Sequence, residues 1–311
     1  MSVEAAKAPT SRRATDPRGE LVGSALAVVM GVQFSFVVIL GKDLLDGSSH
    51  PFVLLALRFG GTAAALAALT VLTGRPLLPE RGERRGVLLA GTLGYGTEAA
   101  FYFAALGHGN AGAVTLLFYT YPVIVMLATI AMDRRAPAGR LLAALLLAVG
   151  GSAVVVIGGS GVEIEPIGIV LALCCATAYS GYLIGADRVL KRTNPMTAAL
   201  WLATGAALAN VVFALAFGDN VVPAGAQWWN VAGMSVFTVG AFVAMLASLQ
   251  RIGAVRNGII GVIEPLTVAL LAWVFLSAPI SWSTGTGGVM ILGGAVLAML
   301  VRTTRVREPD L

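Results

Sequence analysis

Charge is what this sequence has least of. Asp, Glu, Lys and Arg make up 12% of its 311 residues, about half of what a soluble domain uses to face water. Cysteine is confined to Cys174 and Cys175, adjacent in an apolar run. That excludes a disulfide framework, and without further Cys or His nearby it gives no metal site, so both read as small packing residues. The two histidines, His50 and His108, fall in predicted loops and leave no paired imidazoles for a zinc enzyme. There is no Gly-Lys-Ser/Thr run, hence no Walker loop and no sign of ATP coupling within the chain. No cofactor is implied. No Ser/His or Asp dyad stands out that would serve an intramembrane enzyme. A signal peptide is not expected, because the apolar run after the polar stretch Met1–Arg18 is too long for a signal core.

Apolar residues fill that space. They account for 57% of the chain, with a mean hydropathy of +0.85, and they come as continuous runs rather than the alternation of a membrane β-barrel. About 20 apolar residues cross a bilayer as a helix. Cutting at polar and Gly/Pro clusters leaves ten runs of that length: Gly19–Gly41, Pro51–Thr73, Arg85–Gly107, Asn110–Met132, Ala138–Gly159, Pro166–Ala186, Pro195–Phe217, Gln227–Gln250, Val255–Ser277 and Ser281–Val301. The connections are short and leave no room for a soluble domain.

The net charge of +5 is spread over helix ends, not along one face, which argues against nucleic acid as a partner. Lys and Arg in short loops mark the cytoplasmic side. With the N-terminus inside, nineteen of the 21 fall in inside segments, among them Lys7, Arg12, Arg13, Arg18, Arg75, Arg134, Arg135, Arg188, Arg256, Arg302, Arg305 and Arg307. Lys42 lies outside and Arg58 within the second run. An odd number of spans would scramble this alternation.

A shift of about 144 residues brings Gly41-Lys42-Asp43 over Gly185-Ala186-Asp187, and Pro51 over Pro195. At 143, Ala104, Leu106 and Ala111 meet Ala247, Leu249 and Ala254, and Tyr121-Pro122 meets Glu264-Pro265. Repeats of five spans must be inserted with opposite orientation, which places a substrate site near the midplane between the halves. The expected chain is therefore an all-α integral membrane protein. Its ten transmembrane helices form two inverted five-helix repeats around a central cavity, with N- and C-termini cytoplasmic. Residues 1–18 form a tail, 19–159 the first repeat, 160–302 the second, and 303–311 a second tail.

With ten spans, two repeats and a proline in the fourth helix of each half, the chain resembles the drug/metabolite transporter superfamily, and within it the EamA-type exporters. The stretch Arg251–Leu276 is similar to the ninth-helix signature of that family, and Gly109–Met132 is its first-half counterpart. The family often ends these helices in an acidic Leu-Gly-Glu-like turn. Here they end in Met132-Asp133 and Leu276-Ser277-Ala278. The tyrosine-rich helices and the Tyr-Pro pair resemble exporters of amino acids, aromatic ones included, which implies an inner-membrane location.

Ionisable residues inside a membrane are costly, about 2.5–3.5 kcal/mol at a helix centre on insertion scales, and mark partners or function. Arg58 and Glu98 lie roughly 10 and 14 Å from the outer ends of their spans, at 1.5 Å per residue, so an intramembrane Arg58–Glu98 ion pair is expected, as a tether or as substrate contacts. Glu264 precedes Pro265, whose ring frees a carbonyl one turn earlier, and it reads either as a substrate ligand or as a helix-bend residue. Pro122 marks the matching bend. Tyr95, Glu98 and Tyr102 share one helical face. So do Tyr179 and Tyr182, and so do Asn257 and Glu264. Tyr119 and Tyr121, two apart, do not. Tyr121, Gln33 and Ser248 complete the candidate lining. Trp201, Trp228, Trp229, Trp273 and Trp282 are expected at interfaces or facing lipid.

The expected function is secondary, ATP-independent export of small organic metabolites by alternating access, most directly amino acids including aromatic or apolar ones. A tyrosine-lined site with few charges suits a zwitterion; a phosphate exchanger needs several cavity Lys or Arg. Efflux of cationic drugs is the alternative, followed by a channel. The expected partners are a small-molecule substrate and the lipid bilayer. Two repeats in one chain make a monomer sufficient.

Overall fold

The computed structural model describes residues 17–45, 51–109, 111–134, 138–160, 164–218, 222–276 and 281–300. Of the residues named above, Lys7, Arg12, Arg13, His50, Asn110, Arg135, Ser277, Ala278, Val301, Arg302, Arg305 and Arg307 lie outside that set.

Among the described residues the regular elements are all helices. The helices are α1 (Pro17–Leu45), α2 (Pro51–Leu72), α3 (Arg84–Leu89), a π-helical turn (Ala90–Gly96), α4 (Thr97–Leu106), α5 (Ala111–Phe118) and α6 (Tyr121–Asp133). They continue as α7 (Gly139–Ser160), α8 (Pro166–Val189), α9 (Pro195–Phe217), α10 (Gln227–Gly261), α11 (Ile263–Leu276) and α12 (Trp282–Leu300). Proline opens α1, α2, α8 and α9, where its missing N–H has no intrahelical partner to lose. Eight described helical stretches are long and apolar enough to cross a membrane.

Three expected helices depart from simple rods. The run Arg85–Gly107 passes through a π-helical turn at Ala90–Gly96, and Thr97 Oγ1 donates to the Thr92 carbonyl five residues back, at 3.1 Å. The run Asn110–Met132 breaks at Tyr119 and Thr120 into α5 and α6. Pro122 has no N–H for the Phe118 carbonyl and its ring crowds that carbonyl. The third departure lies between Gln227–Gln250 and Val255–Ser277, expected as two separate spans, and the helix does break there. Within α10 the helical backbone is interrupted at Gly253, with φ 77° and ψ 170°, so that α10 is two helices meeting at a kink. Only glycine adopts that conformation freely. Asn257 Nδ2 donates to Ser248 Oγ at 2.9 Å, although nine residues of straight helix would separate them by about 13.5 Å. The chain therefore folds sharply back on itself at Gly253. A second break follows at Val262, just before Glu264-Pro265.

Helix α1 packs along α10, α7 along α12 and α2 along α9. Small residues permit the closest approaches. A Cβ on Gly151 would stand 2.6 Å from the Gly287 carbonyl, and one on Gly294 2.7 Å from that of Ala144, so the α7 and α12 backbones touch. Trp228, Trp229, Trp273 and Trp282 are exposed, as expected of lipid-facing or interfacial rings.

One end of the bundle is sewn together by polar contacts. The buried Glu83 carboxylate accepts hydrogen bonds from the Lys191, Arg192 and Thr193 N–H groups and from Thr193 Oγ1, at 3.1, 2.9, 2.9 and 2.6 Å. Gln250 Nε2 holds the Leu190 and Thr193 carbonyls of the same loop. Arg256, counted with the charges of the inside segments, is buried. Its Nη1 lies 3.3 Å from Glu20 Oε2, and it donates to the Ala298 and Met299 carbonyls. A guanidinium beside backbone carbonyls makes charge-assisted hydrogen bonds, which offset the cost of its burial.

Burial alone raises the Glu83 carboxyl, but the donors on Thr193, Arg192 and Lys191 outweigh it and hold the group below the usual carboxylate range. A depressed folded value means the stabilisation is complete above the unfolded value and fades as pH falls through the folded one. Glu83→Gln is therefore expected to cost about 2–3 kcal/mol near pH 7. In melting curves taken from pH 7 down to pH 3, its deficit relative to wild type should shrink only below the ordinary carboxylate range. A deficit that persists unchanged at pH 3 would contradict this assignment.

Candidate functional site

The bundle interior is an aromatic cluster centred on Tyr95. Its ring lies 4.7 Å from Phe242, 5.6 Å from Tyr182, 5.8 Å from Phe59, 6.1 Å from Tyr179 and 6.4 Å from Phe34. Tyr179 continues it to Tyr121 at 4.7 Å and to Phe118 at 5.4 Å. Offset and edge-on pairs of this kind add about 0.5–1.5 kcal/mol each beyond burial. Seven helical segments, from α1 to α10, supply the rings, so the cluster marks where the two halves of the chain meet.

Three ionisable side chains enter this apolar enclosure. Arg58 on α2 is 6% exposed; its Nε donates to Thr238 Oγ1 at 2.9 Å, and its guanidinium sits 4.8 Å over the Phe59 ring. Tyr95 is its hydroxyl neighbour, and Glu98 and Glu264 feel its charge. The expected direct Arg58–Glu98 pair is not made. Ion pairs within 4 Å among the described residues include His108–Glu165, Arg188–Asp133 and Arg256–Glu20. Apolar runs fix the depth of a residue but not the rotation of its helix, and α2 turns the Arg58 Nε toward α10. Glu98, 7% exposed, accepts instead from Cys175 Sγ at 3.5 Å, so Cys175 is more than a packing residue. Glu264 faces the Tyr119 hydroxyl, and its backbone carbonyl accepts from Ser35 Oγ at 3.1 Å.

The two proline bends face each other. Tyr121 Oη donates to the Gly258 carbonyl at 3.1 Å, and Ser180 Oγ reaches the Tyr121 carbonyl. Helical spacing separates Tyr119 from Tyr121, but the break before Pro122 ends that periodicity. Both rings are buried, with centroids 6.1 Å apart.

Other candidates fall outside the centre. The Tyr102 hydroxyl lies 2.8 Å from Thr115 Oγ1 at the rim. Gln33 packs its amide against Gly240, and its buried Oε1 has no hydrogen-bond partner. Ser248 and Asn257 brace the Gly253 turn. A recess of about 310 Å³, lined among others by Asp133, Asp187, Arg188 and Lys191, lies at the Arg188–Asp133 end, away from the aromatic cluster. No group of three or more His, Cys, Asp or Glu residues suited to a metal occurs among the described residues.

Sequence reasoning missed Thr238, Cys175, Tyr119 and Met245. Met245 Sδ takes hydrogen bonds from the hydroxyls of Tyr179 at 3.6 Å and Tyr182 at 3.8 Å. Nothing in hydropathy separates such a methionine from packing. For Cys175, its place one turn before Tyr179 on α8 was an available signal.

Known proteins resemble this chain in sequence and in fold. The profile of the EamA-like transporter family matches residues 21–157 and again residues 166–300. The chain is 29% identical over 267 residues to the aromatic amino acid exporter YddG of Ancylobacter novellus, covering 82% of this chain and 90% of that one. It is 27% identical over 247 residues to the uncharacterized transporter YcbK of Bacillus subtilis, covering 74% of this chain and 78% of that one. A solved crystal structure superposes with a TM-score of 0.76 at 23% identity, over 90% of this chain and 96% of that one, and so shares the fold. The chain belongs to the EamA-like transporter family and is a multi-pass inner-membrane transporter, not an enzyme.

Proposed function

We propose that this protein is a ten-span secondary carrier that exports amino acids, aromatic ones among them, by alternating access. In this reading, inverted five-helix repeats at residues 19–159 and 160–302 enclose the site, and both termini are cytoplasmic. The twofold family match, the paired breaks before Pro122 and Pro265 and the fold-back at Gly253 support the repeats. The contacts at helix ends support the orientation. Glu83 with Thr193, Arg256 with Glu20, and Arg188 with Asp133 each join segments that the charge alternation places inside. His108 with Glu165 joins two placed outside.

One observation carries the substrate class: two carboxylates, Glu98 and Glu264, share an aromatic enclosure with a single guanidinium, Arg58. The surplus negative charge suits an ammonium group, and the rings suit an apolar side chain. A phosphate ester would find one cation and two anions. The name of the relative from Ancylobacter novellus points the same way. The same surplus favours a second reading, efflux of lipophilic cations. The deciding experiment is uptake of radiolabelled phenylalanine into proteoliposomes, challenged by excess threonine, methionine, phenylalanine or a lipophilic cation. Saturable uptake blocked by amino acids is expected; uptake absent above empty liposomes, from folded protein, would overturn the amino-acid reading.

A further inference from the structure

Two buried hydroxyls in this site point at a poor acceptor. Tyr179 and Tyr182, 5% and 3% exposed, both donate to Met245 Sδ, at 3.6 and 3.8 Å. A thioether sulfur is a weak acceptor, and two phenols sharing it inside an apolar enclosure leave hydrogen-bonding capacity unspent. Met245 is fully buried on α10 and has an unbranched side chain with three rotatable bonds, able to vacate its place without backbone movement.

The phenols lie in line with a carboxylate. Cys175, Tyr179 and Tyr182 follow one face of α8 at i, i+4 and i+7, and Cys175 donates to Glu98. Along α8, Cys175 and Tyr179 are about 6 Å apart at 1.5 Å per residue. The carboxylate held by Cys175 and the pair of O–H donors thus belong to one side of α8 and face the same enclosure.

We propose that the Tyr179 and Tyr182 hydroxyls form the subsite for the carboxylate of a zwitterionic substrate whose ammonium meets Glu98, and that the Met245 sulfur stands in for that carboxylate when the site is empty. The proposal rests on the amino-acid reading above. Substrate entry displaces the sulfur, and both phenols exchange a weak acceptor for a charged one.

The test compares wild type, Met245→Leu and Tyr179→Phe/Tyr182→Phe in proteoliposomes. Two quantities are read: the apparent KM for phenylalanine and the inhibition by phenethylamine, which carries the ammonium and ring but no carboxylate. Met245→Leu removes the competing acceptor and is expected to lower the KM about threefold or more. The double tyrosine variant is expected to raise it at least about tenfold, the loss of hydrogen bonds to a charged group, while phenethylamine inhibits as it does in wild type. A KM for the double variant within about twofold of wild type, or an equal loss of phenethylamine inhibition, overturns the subsite. An unchanged KM in Met245→Leu overturns the stand-in role. Should the double variant not fold, the single tyrosine variants carry the same comparison. A wild-type protein that takes up no amino acid overturns the amino-acid reading together with this inference; uptake with unaltered variants overturns this inference alone.

Discussion

Replacing Glu98 by glutamine is expected to lower the transport efficiency for phenylalanine about a hundredfold, equivalent to about 2.7 kcal/mol, while leaving the protein folded. Glutamine keeps the length of the side chain and an oxygen that accepts from Cys175 Sγ; what it removes is the charge. A substrate ammonium that leaves water for an enclosure lined by Phe59, Tyr95 and Phe242 needs an anion there, because an unpaired buried charge is far costlier than an unpaired dipole. The melting temperature of the substrate-free variant should equal or exceed that of wild type, since the substitution takes a charge out of an apolar interior without creating a cavity. Uptake at wild-type efficiency in a folded Glu98→Gln protein would make Glu98 a structural partner of Cys175 and move the ammonium to Glu264.

The second large effect is expected at Arg58. Arg58→Leu should destabilise the detergent-solubilised protein by about 3 kcal/mol or more, the scale of leaving a buried charge uncompensated. Two carboxylates then face each other's field without their cation, and the guanidinium contacts with Thr238 and Phe59 disappear. The double variant Arg58→Leu/Glu98→Gln removes one carboxylate together with the cation. It is expected to recover most of the lost stability and none of the transport. Additivity of the two changes in melting experiments would contradict this coupling, because groups that share one electrostatic enclosure do not act independently.

The helical, apolar character of the chain was legible in the sequence because length and hydropathy alone set it. So were the two bends, because Pro122 and Pro265 lack a donor wherever they stand. So was the break at Gly253, because the polar stretch around Arg251 and Arg256 divides the apolar run that ends at Gln250 from the one that begins at Val255. The site was legible as a list of polar residues at membrane depth and not as a set of partners. Arg58 and Glu98 were placed at matching depth, yet the rotation of α2 sends the guanidinium to Thr238. The burial of Arg256 could not be read because its acceptors, the Ala298 and Met299 carbonyls, are backbone groups that no residue type announces. Met245 was invisible for a related reason: its role comes from two hydroxyls on α8, whose convergence only the packing of α8 against α10 creates.

The most direct test of the account is counterflow. Proteoliposomes preloaded with unlabelled phenylalanine are diluted into a trace of the labelled amino acid, and the label inside is followed over time. A carrier that exposes one site alternately to each side accumulates label transiently above the outside concentration and then loses it as the gradient of unlabelled substrate decays. That overshoot, abolished in Glu98→Gln, is the predicted result; label that only rises to equilibrium, with or without preloading, would contradict alternating access and assign the protein to the channels.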